Sequence, residues 1–507
     1  MKQKHFCMML LLFVVVVYSQ VVPAQNQVKK PPSIFGKRPS PAVFYGIQKD
    51  QRTLEPQFDK LGIRRQGNMQ TDTSPGLITI PEDYPDILDF DVAETPPTID
   101  FAIVQGLNPW YLEPLESMYE SPMSASGGFA IWSGFGDVAR GADGCFYFSI
   151  GNHLYYGGNA LIIKYDPSTK TQSVALDAQR VIGWKTGDWS DAKIHGDLDI
   201  DGDGNMWMLT FSGPRPLKSD LGKVPYKGAH LLRYNIFNGE AEDIGVPFAG
   251  DTWSYHALDP QRGVILAVGQ AKNSIMIYDT VERRLLYGGF PPDGLTWWRR
   301  CILIDQDTGK IFTTNSTPAN TTGNTIISWE RKNNTFTELK SKTPEHPVYG
   351  RNFQLRAHTK SKTSDGAFWC MCNNGTMFRF YPEEDRIVYE GINWGKNGYY
   401  TTNLCLSPKD RYLYYLPGAH SDAWKFGTPF VQYDTQTKRK KIIAFLHDFY
   451  FGKYGYIPYG SYGLELDEKG ESLLLYTNGL FSSKEKGSGY GRPAIFHVHI
   501  PASERRE

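Results

Sequence analysis

One pattern recurs seven times between about residue 130 and the C-terminus, and it limits the chain to very few architectures. Each copy starts with a polar residue and a Gly, or a substitute for it, followed by an apolar-aromatic run. The copies read Ala142-Asp-Gly-Cys-Phe-Tyr-Phe, Gly202-Asp-Gly-Asn-Met-Trp, Gln261-Arg-Gly-Val-Ile-Leu, Asp307-Thr-Gly-Lys-Ile-Phe, Ser364-Asp-Gly-Ala-Phe-Trp, Lys409-Asp-Arg-Tyr-Leu-Tyr and Lys469-Gly-Glu-Ser-Leu-Leu. A second apolar run follows each, as in Leu161-Ile-Ile-Lys-Tyr-Asp, Ile275-Met-Ile-Tyr-Asp and Phe430-Val-Gln-Tyr-Asp. Short strands at this spacing are the mark of propeller blades. The expected fold class is all-β, a seven-bladed β-propeller over 130–507.

A further strand precedes each Gly turn, over Gly134–Arg140, Lys193–Ile200, Trp253–Leu258, Trp298–Ile304, Asn352–His358, Tyr400–Leu406 and Ser461–Leu466. In a propeller these inner strands surround one channel, so residues far apart in sequence meet there. The last blade lacks an outer strand, and Thr98-Ile-Asp-Phe-Ala-Ile-Val is a candidate to supply it near 98–104, leaving no open sheet edge. The rest of 25–129 reads as an arm or linker.

Residues 1–24 have the form of a signal peptide. Lys2 and Lys4 precede a short apolar run, and Val22-Pro23-Ala24 offers small residues at a cleavage point. The mature chain is expected to be secreted or periplasmic, with no transmembrane segment. Lys+Arg and Asp+Glu both number 54, which gives no global field to draw nucleic acid. Of the cysteines beyond the leader, Cys370 and Cys372 alternate on a strand and match no zinc spacing, so they read as small buried hydrophobes.

The blade text Asp203-Gly-Asn-Met-Trp with Leu232-Arg-Tyr resembles virginiamycin B lyase and SMP-30/gluconolactonase-type blades. Secreted seven-bladed polysaccharide lyases, of ulvan and rhamnogalacturonan types, are similar in architecture and use His, Tyr and Arg on one face. The lactonases resembled have six blades and a metal held by a carboxylate and asparagines, which the seven repeats here do not match.

Counting back nine residues from the turn Gly places His195 and Arg300 at equivalent points of two inner strands, with Tyr255 and His256 on the strand between. Asp137, Arg299, Arg356, Asn403 and Tyr462 lie nearby. Elimination from a uronate needs a cation on the carboxylate and a base at the adjacent carbon. The expected function is therefore a lyase acting on a uronate-containing glycan, with His195 as base, Tyr255 as partner and His256 a competitor for either role. Arg300 would hold the carboxylate, with Arg299, Arg356 and Tyr462 binding substrate. Trp184, Trp189, Trp253, Trp297 and Trp298 sit in loops feeding inner strands and would give stacking platforms for sugar rings. The alternatives are a carbohydrate-binding propeller without catalysis and a metal-dependent lactonase or hydrolase. Asp199-Ile-Asp-Gly-Asp-Gly-Asn resembles the start of a calcium loop, but Thr210 stands where an EF-hand needs Glu, so it reads as a blade turn. No motif demands a cofactor or fixes metal ligands; calcium, zinc or manganese stays open. The expected state is a monomer with a carbohydrate ligand.

Overall fold

The computed structural model describes residues 69–82, 89–104 and 133–506, apart from 152–158, 186–187, 190, 212–225, 271, 293–294, 316–324, 420–422 and 481–492. The signal-peptide reading of 1–24 and most of the arm lie outside the described residues.

Seven antiparallel sheets follow one another along the chain. Blade one is Ser133–Arg140, Phe146–Gly151, Ala160–Asp166 and Thr171–Asp177, paired in that order. Blade seven is Ile457–Leu466, Ser472–Leu480, Ala494–His499 and, as its outer strand, Thr98–Ile103 from before blade one. Gln70–Thr73 adds one strand beyond it, and Asp91–Val92 runs parallel to the outer strand of blade six. The pre-propeller segment is thus bonded to two blades.

Burial between blades closes the ring. Ala139, Tyr147 and Ile194 join blade one to blade two, and Trp207 and Trp253 join blade two to blade three. Tyr255 and Ile302 bridge blades three and four, and Leu303 and Phe368 bridge four and five. Trp369, Leu413 and Leu464 link five, six and seven, and Val138 and Tyr476 return seven to one. The result is a seven-bladed β-propeller.

The repeating turn has a backbone reason. Gly144, Gly204, Gly263, Gly309, Gly366 and Gly470 all have φ between 60° and 87°, and Asp410 takes that left-handed position at 64° where blade six lacks the Gly. Only Gly, and at small cost Asn or Asp, occupies this region without strain. Asp201 accepts from the N–H groups of Asp203 (3.0 Å) and Asn205 (2.8 Å), so the calcium-like segment is folded as a blade turn.

Several inner strands are shorter than the sequence suggests. Blade two pairs only at Lys193–Ile194 and Asp199–Ile200, blade four at Leu303–Ile304, and blade six at Cys405–Leu406. In blade two the segment between bulges toward its neighbours. Asp137 N donates to Gly196 O, and Asp197 N donates to His256 O. Backbone groups that leave their own ladder are satisfied by the inner strands of adjacent blades. The five cysteines Cys145, Cys301, Cys370, Cys372 and Cys405 are buried and unbridged. Among the described residues, no helix is long and apolar enough to cross a membrane.

Candidate functional site

The inner strands bring two sets of ionisable groups to the channel. The first gathers around the bulge of blade two. Arg300 donates through Nη1 to His195 Nε2 at 3.0 Å. They belong to blades four and two, so the contact passes blade three across the ring. Lys193, two residues earlier, lies between the rings of Phe135 (4.7 Å) and Phe211 (4.3 Å). Arg356 donates from Nε to the Tyr400 hydroxyl at 2.5 Å and from Nη1 to the carbonyls of Arg300 and Thr402. Lys193, His195 and Arg356 are all buried. Among the described residues, no carboxylate lies within ion-pair distance of Lys193, Arg300 or Arg356.

Crowding of like charge in a dry place has a consequence for protonation. Burial, and then Arg300, hold Lys193 well below the ordinary lysine range. Burial, then Arg300, Lys193 and Arg356, do the same to His195, so its imidazole is neutral. Burial also opposes the charge of Arg356, but the hydroxyls of Tyr400 and Tyr255 outweigh it and keep the guanidinium protonated.

The second set lies further along the inner strands, around a cavity of about 130 Å³ lined by Asp137, Asp197, Tyr255, His358, Lys360 and Glu465, among others. The Tyr255 hydroxyl donates to Asp197 Oδ1 at 2.5 Å, and Lys360 donates to Glu465 at 2.9 Å. Burial pushes the Asp137 carboxyl up to about 7, with Lys360 pulling it down and Glu465 adding to the rise. Burial, then Asp199 and Asp137, push Asp197 well above the carboxylate range.

Tyr255 and His256 are engaged with partners other than those expected. Tyr255 spends its proton on Asp197, and burial and that carboxylate push its hydroxyl well above the tyrosine range. Its hydroxyl is thus directed at Asp197 rather than at His195. His256 is fully buried with its ring against Gly196, where an added Cβ would lie 2.1 Å from Nδ1, and burial lowers it to about 3. It faces the blade interface rather than the channel.

The tryptophans of the expected platform are spread over separate contacts. Trp253 is fully buried between blades two and three, and Trp297 is buried against Phe336. Trp298 packs on the core between blades four and five, and Tyr462 belongs to the core between blades seven and one. Trp189 is buried and meets Tyr226 edge-on, and Trp184 donates its indole N–H to the carbonyls of Asp188 and Trp189. Trp253, Trp297 and Trp298 thus pack in the cores shared by neighbouring blades, where large apolar area stabilises most. Arg299 turns toward blade three, with Nη1 3.4 Å from Asn273 Oδ1, and so stands apart from Arg300.

Sequence reasoning missed Lys193, Asp197, Lys360 and Glu465. Lys193 and Asp197 flank His195 at two-residue spacing on an inner strand, a period-two signal that was available. Glu465 and Lys360 carry no such mark.

Comparison with known proteins adds little beyond the architecture. No protein-family model matches the chain, and no curated protein matches it. Among solved structures, it is similar to one described as the extracellular domain of a one-component system from B. thetaiotaomicron. That likeness has 15% identity and a TM-score of 0.44, covering 73% of this chain and 38% of the other. The chain thus spans about two fifths of that protein's length. It is also similar to a structure of a nidogen/laminin complex, with 14% identity and a TM-score of 0.35 over 61% of this chain and 91% of that one. The likeness to virginiamycin B lyase and gluconolactonase-type blades rests on the repeat text alone.

Proposed function

We propose that the protein is a carbohydrate-binding propeller acting outside the cytoplasm, and that it takes the carboxylate of a uronate-bearing glycan at the Lys193–His195–Arg300–Arg356 end of its channel. The observation that carries this reading is the gathering of two guanidinium groups and a buried lysine without a carboxylate counterpart among the described residues. Holding such groups out of water is unfavourable unless an anion completes them. A uronate supplies the anion, and its hydroxyls suit the Tyr400 and Thr402 groups beside Arg356. Calorimetry against oligogalacturonate, a sulfated oligosaccharide and a neutral oligosaccharide tests it. The uronate should bind, the neutral sugar should not, and Arg300→Gln should weaken binding roughly tenfold or more, as expected for one charge-assisted hydrogen bond. Equal affinity for all three, or an unaffected variant, would refute the reading.

Uronate β-elimination is a second reading, favoured by the neutral His195 lying 3.0 Å from Arg300. A base and a carboxylate-neutralising cation are then adjacent. Incubation with the same uronate polymers would give products absorbing in the ultraviolet through a new carbon–carbon double bond. Tight binding without that absorbance leaves the binding reading standing and removes the lyase.

A further inference from the structure

The last strand of blade seven ends His497-Val-His499, and alternate residues of a strand share a face. The strand paired with it places Asp100 directly opposite His497. Asp100 Oδ2 lies 3.0 Å from His499 Nε2 and 4.0 Å from His497 Nδ1, and one ligand atom from each of the three residues falls within 4.8 Å of the others. For an ion with ligands near 2.0–2.1 Å, a tetrahedron has edges of roughly 3.3–3.4 Å. The observed spacings straddle that length.

The surroundings aim these atoms at one point. The other ring nitrogen of His497, Nε2, is 2.9 Å from Ser472 Oγ, which in turn donates to Asp467 Oδ2 at 2.7 Å. With its hydroxyl proton committed to Asp467, Ser472 accepts from His497 Nε2–H, and this leaves the Nδ1 lone pair on the Asp100 side, where the Tyr165 hydroxyl also reaches it at 3.3 Å. Outer partners that fix the tautomer in this way are characteristic of metal-ligating histidines. On the carboxylate, Thr71 and Lys170 hold Oδ1 at 2.5 Å and 2.7 Å, so Oδ2 is the oxygen left for the histidines. Asp100 and His497 are buried, while the half-exposed His499 gives an ion a route in.

We propose that Asp100, His497 and His499 bind a divalent transition-metal ion of the zinc class, and that the ion staples the pre-propeller strand to blade seven where the ring closes. Two imidazoles and one carboxylate suit zinc or cobalt better than calcium or magnesium, which prefer all-oxygen sites. Because Asp100 comes from the N-terminal strand and the histidines from the last, the bound ion would resist separation of the two ends of the fold.

The test uses the full mature chain, stripped with chelator and titrated with Zn²⁺ or Co²⁺ alone. One equivalent should bind per chain. Co²⁺ should show visible bands of tetrahedral intensity, and Zn²⁺ at a hundredfold excess over its Kd should raise Tm by on the order of 3 °C. His499→Ala should abolish the bands and the shift while the chain still folds, because that side chain is half exposed at the strand end. Ser472→Ala keeps all three ligands and should weaken Co²⁺ binding by roughly tenfold or more. Absence of bands and of any Tm shift in the unmodified chain would overturn the proposal. So would bands that persist in His499→Ala.

Discussion

Replacing Lys193 with Met should raise stability and lower affinity together, and the opposite signs are what separate a binding group from a structural one. Lys193 is buried between two phenyl rings, beside Arg300 and without a carboxylate among the described residues. An amine buried without full compensation costs about 1–3 kcal/mol. The two ring faces return part of that, and only to the charged form. Met has similar length and volume and an apolar end, so Lys193→Met should stabilise the ligand-free chain by about 1–2 kcal/mol. The change would be read as a higher urea midpoint at constant slope. For the ligand, losing one partner of a buried charge pair costs about 2 kcal/mol or more, or at least ~30-fold in Kd. The pH dependence fixes the mechanism. Lys193 is depressed in the folded chain, so the unfolded chain holds its proton more tightly. Stability therefore rises with pH from the folded value up to the unperturbed 10.5. An anion arriving at the site favours the charged form, so binding takes up a proton and strengthens as pH falls. Calorimetric heats in buffers of different ionisation enthalpy would count that proton, and Lys193→Met should remove it. A destabilised variant with unchanged affinity would refute the reasoning, because Lys193 would then be a packing residue.

Two further perturbations address the ring and the second cluster. Phe101 on the closing strand is fully buried and meets Tyr450, Tyr454, Tyr456 and Phe496 at 4.7–5.6 Å, so Phe101→Ala should cost about 4 kcal/mol by urea unfolding; a loss under about 1 kcal/mol would show that the ring does not depend on this strand. Asp137 is raised to about 7 when folded, so its contribution is present below 3.8 and is lost as pH climbs through 7. Asp137→Asn should therefore be more stable than the native chain at pH 8, with the gap closing toward pH 4. Parallel curves for the two proteins would mean that the carboxyl titrates normally.

The parts of this fold legible in the sequence are those enforced by local backbone chemistry. The Gly turn repeats because a left-handed residue is needed at each inner hairpin, and even its exception, Asp410, is a residue that tolerates the conformation. The final blade's missing strand was legible for a related reason: an unpaired sheet edge is a defect that the chain must cover. What could not be read was which way a large side chain turns. Trp253 and Tyr255 lie two residues apart on one strand, yet one fills a blade interface and the other reaches Asp197. The ladder shifts register between Trp253 and Tyr255, and period-two counting has no means of seeing such a bulge. His195 and Arg300 still meet, because both precede the regular part of their ladders.

Apart from the Lys360–Glu465 pair, the channel keeps its opposite charges apart, and this arrangement says more about function than either cluster alone. Arg356 bonds to Tyr400 and two carbonyls, Asp197 to Tyr255, and Lys360 to Glu465. A channel shaped for stability alone would bring Arg356 and Asp197 together, or replace them with apolar groups, since unpaired buried charge is the least favourable option. Here burial raises the carboxyls toward their protonated forms and holds the lysine well below its ordinary range. Each cluster thus remains open to a ligand in a different way: one end has no anion among the described residues, and the other offers acid groups raised toward their protonated, hydrogen-bond-donating forms. A sugar acid bears both complements, a carboxylate and ring hydroxyls. If the clusters share no partner, Lys193→Met should leave the Asp137-dependent slope of stability unchanged, and Asp137→Asn should leave proton uptake on binding unchanged. The effects on stability should then add within about 0.5 kcal/mol. A larger coupling would mean that the two ends act as one site, with a single ligand spanning them.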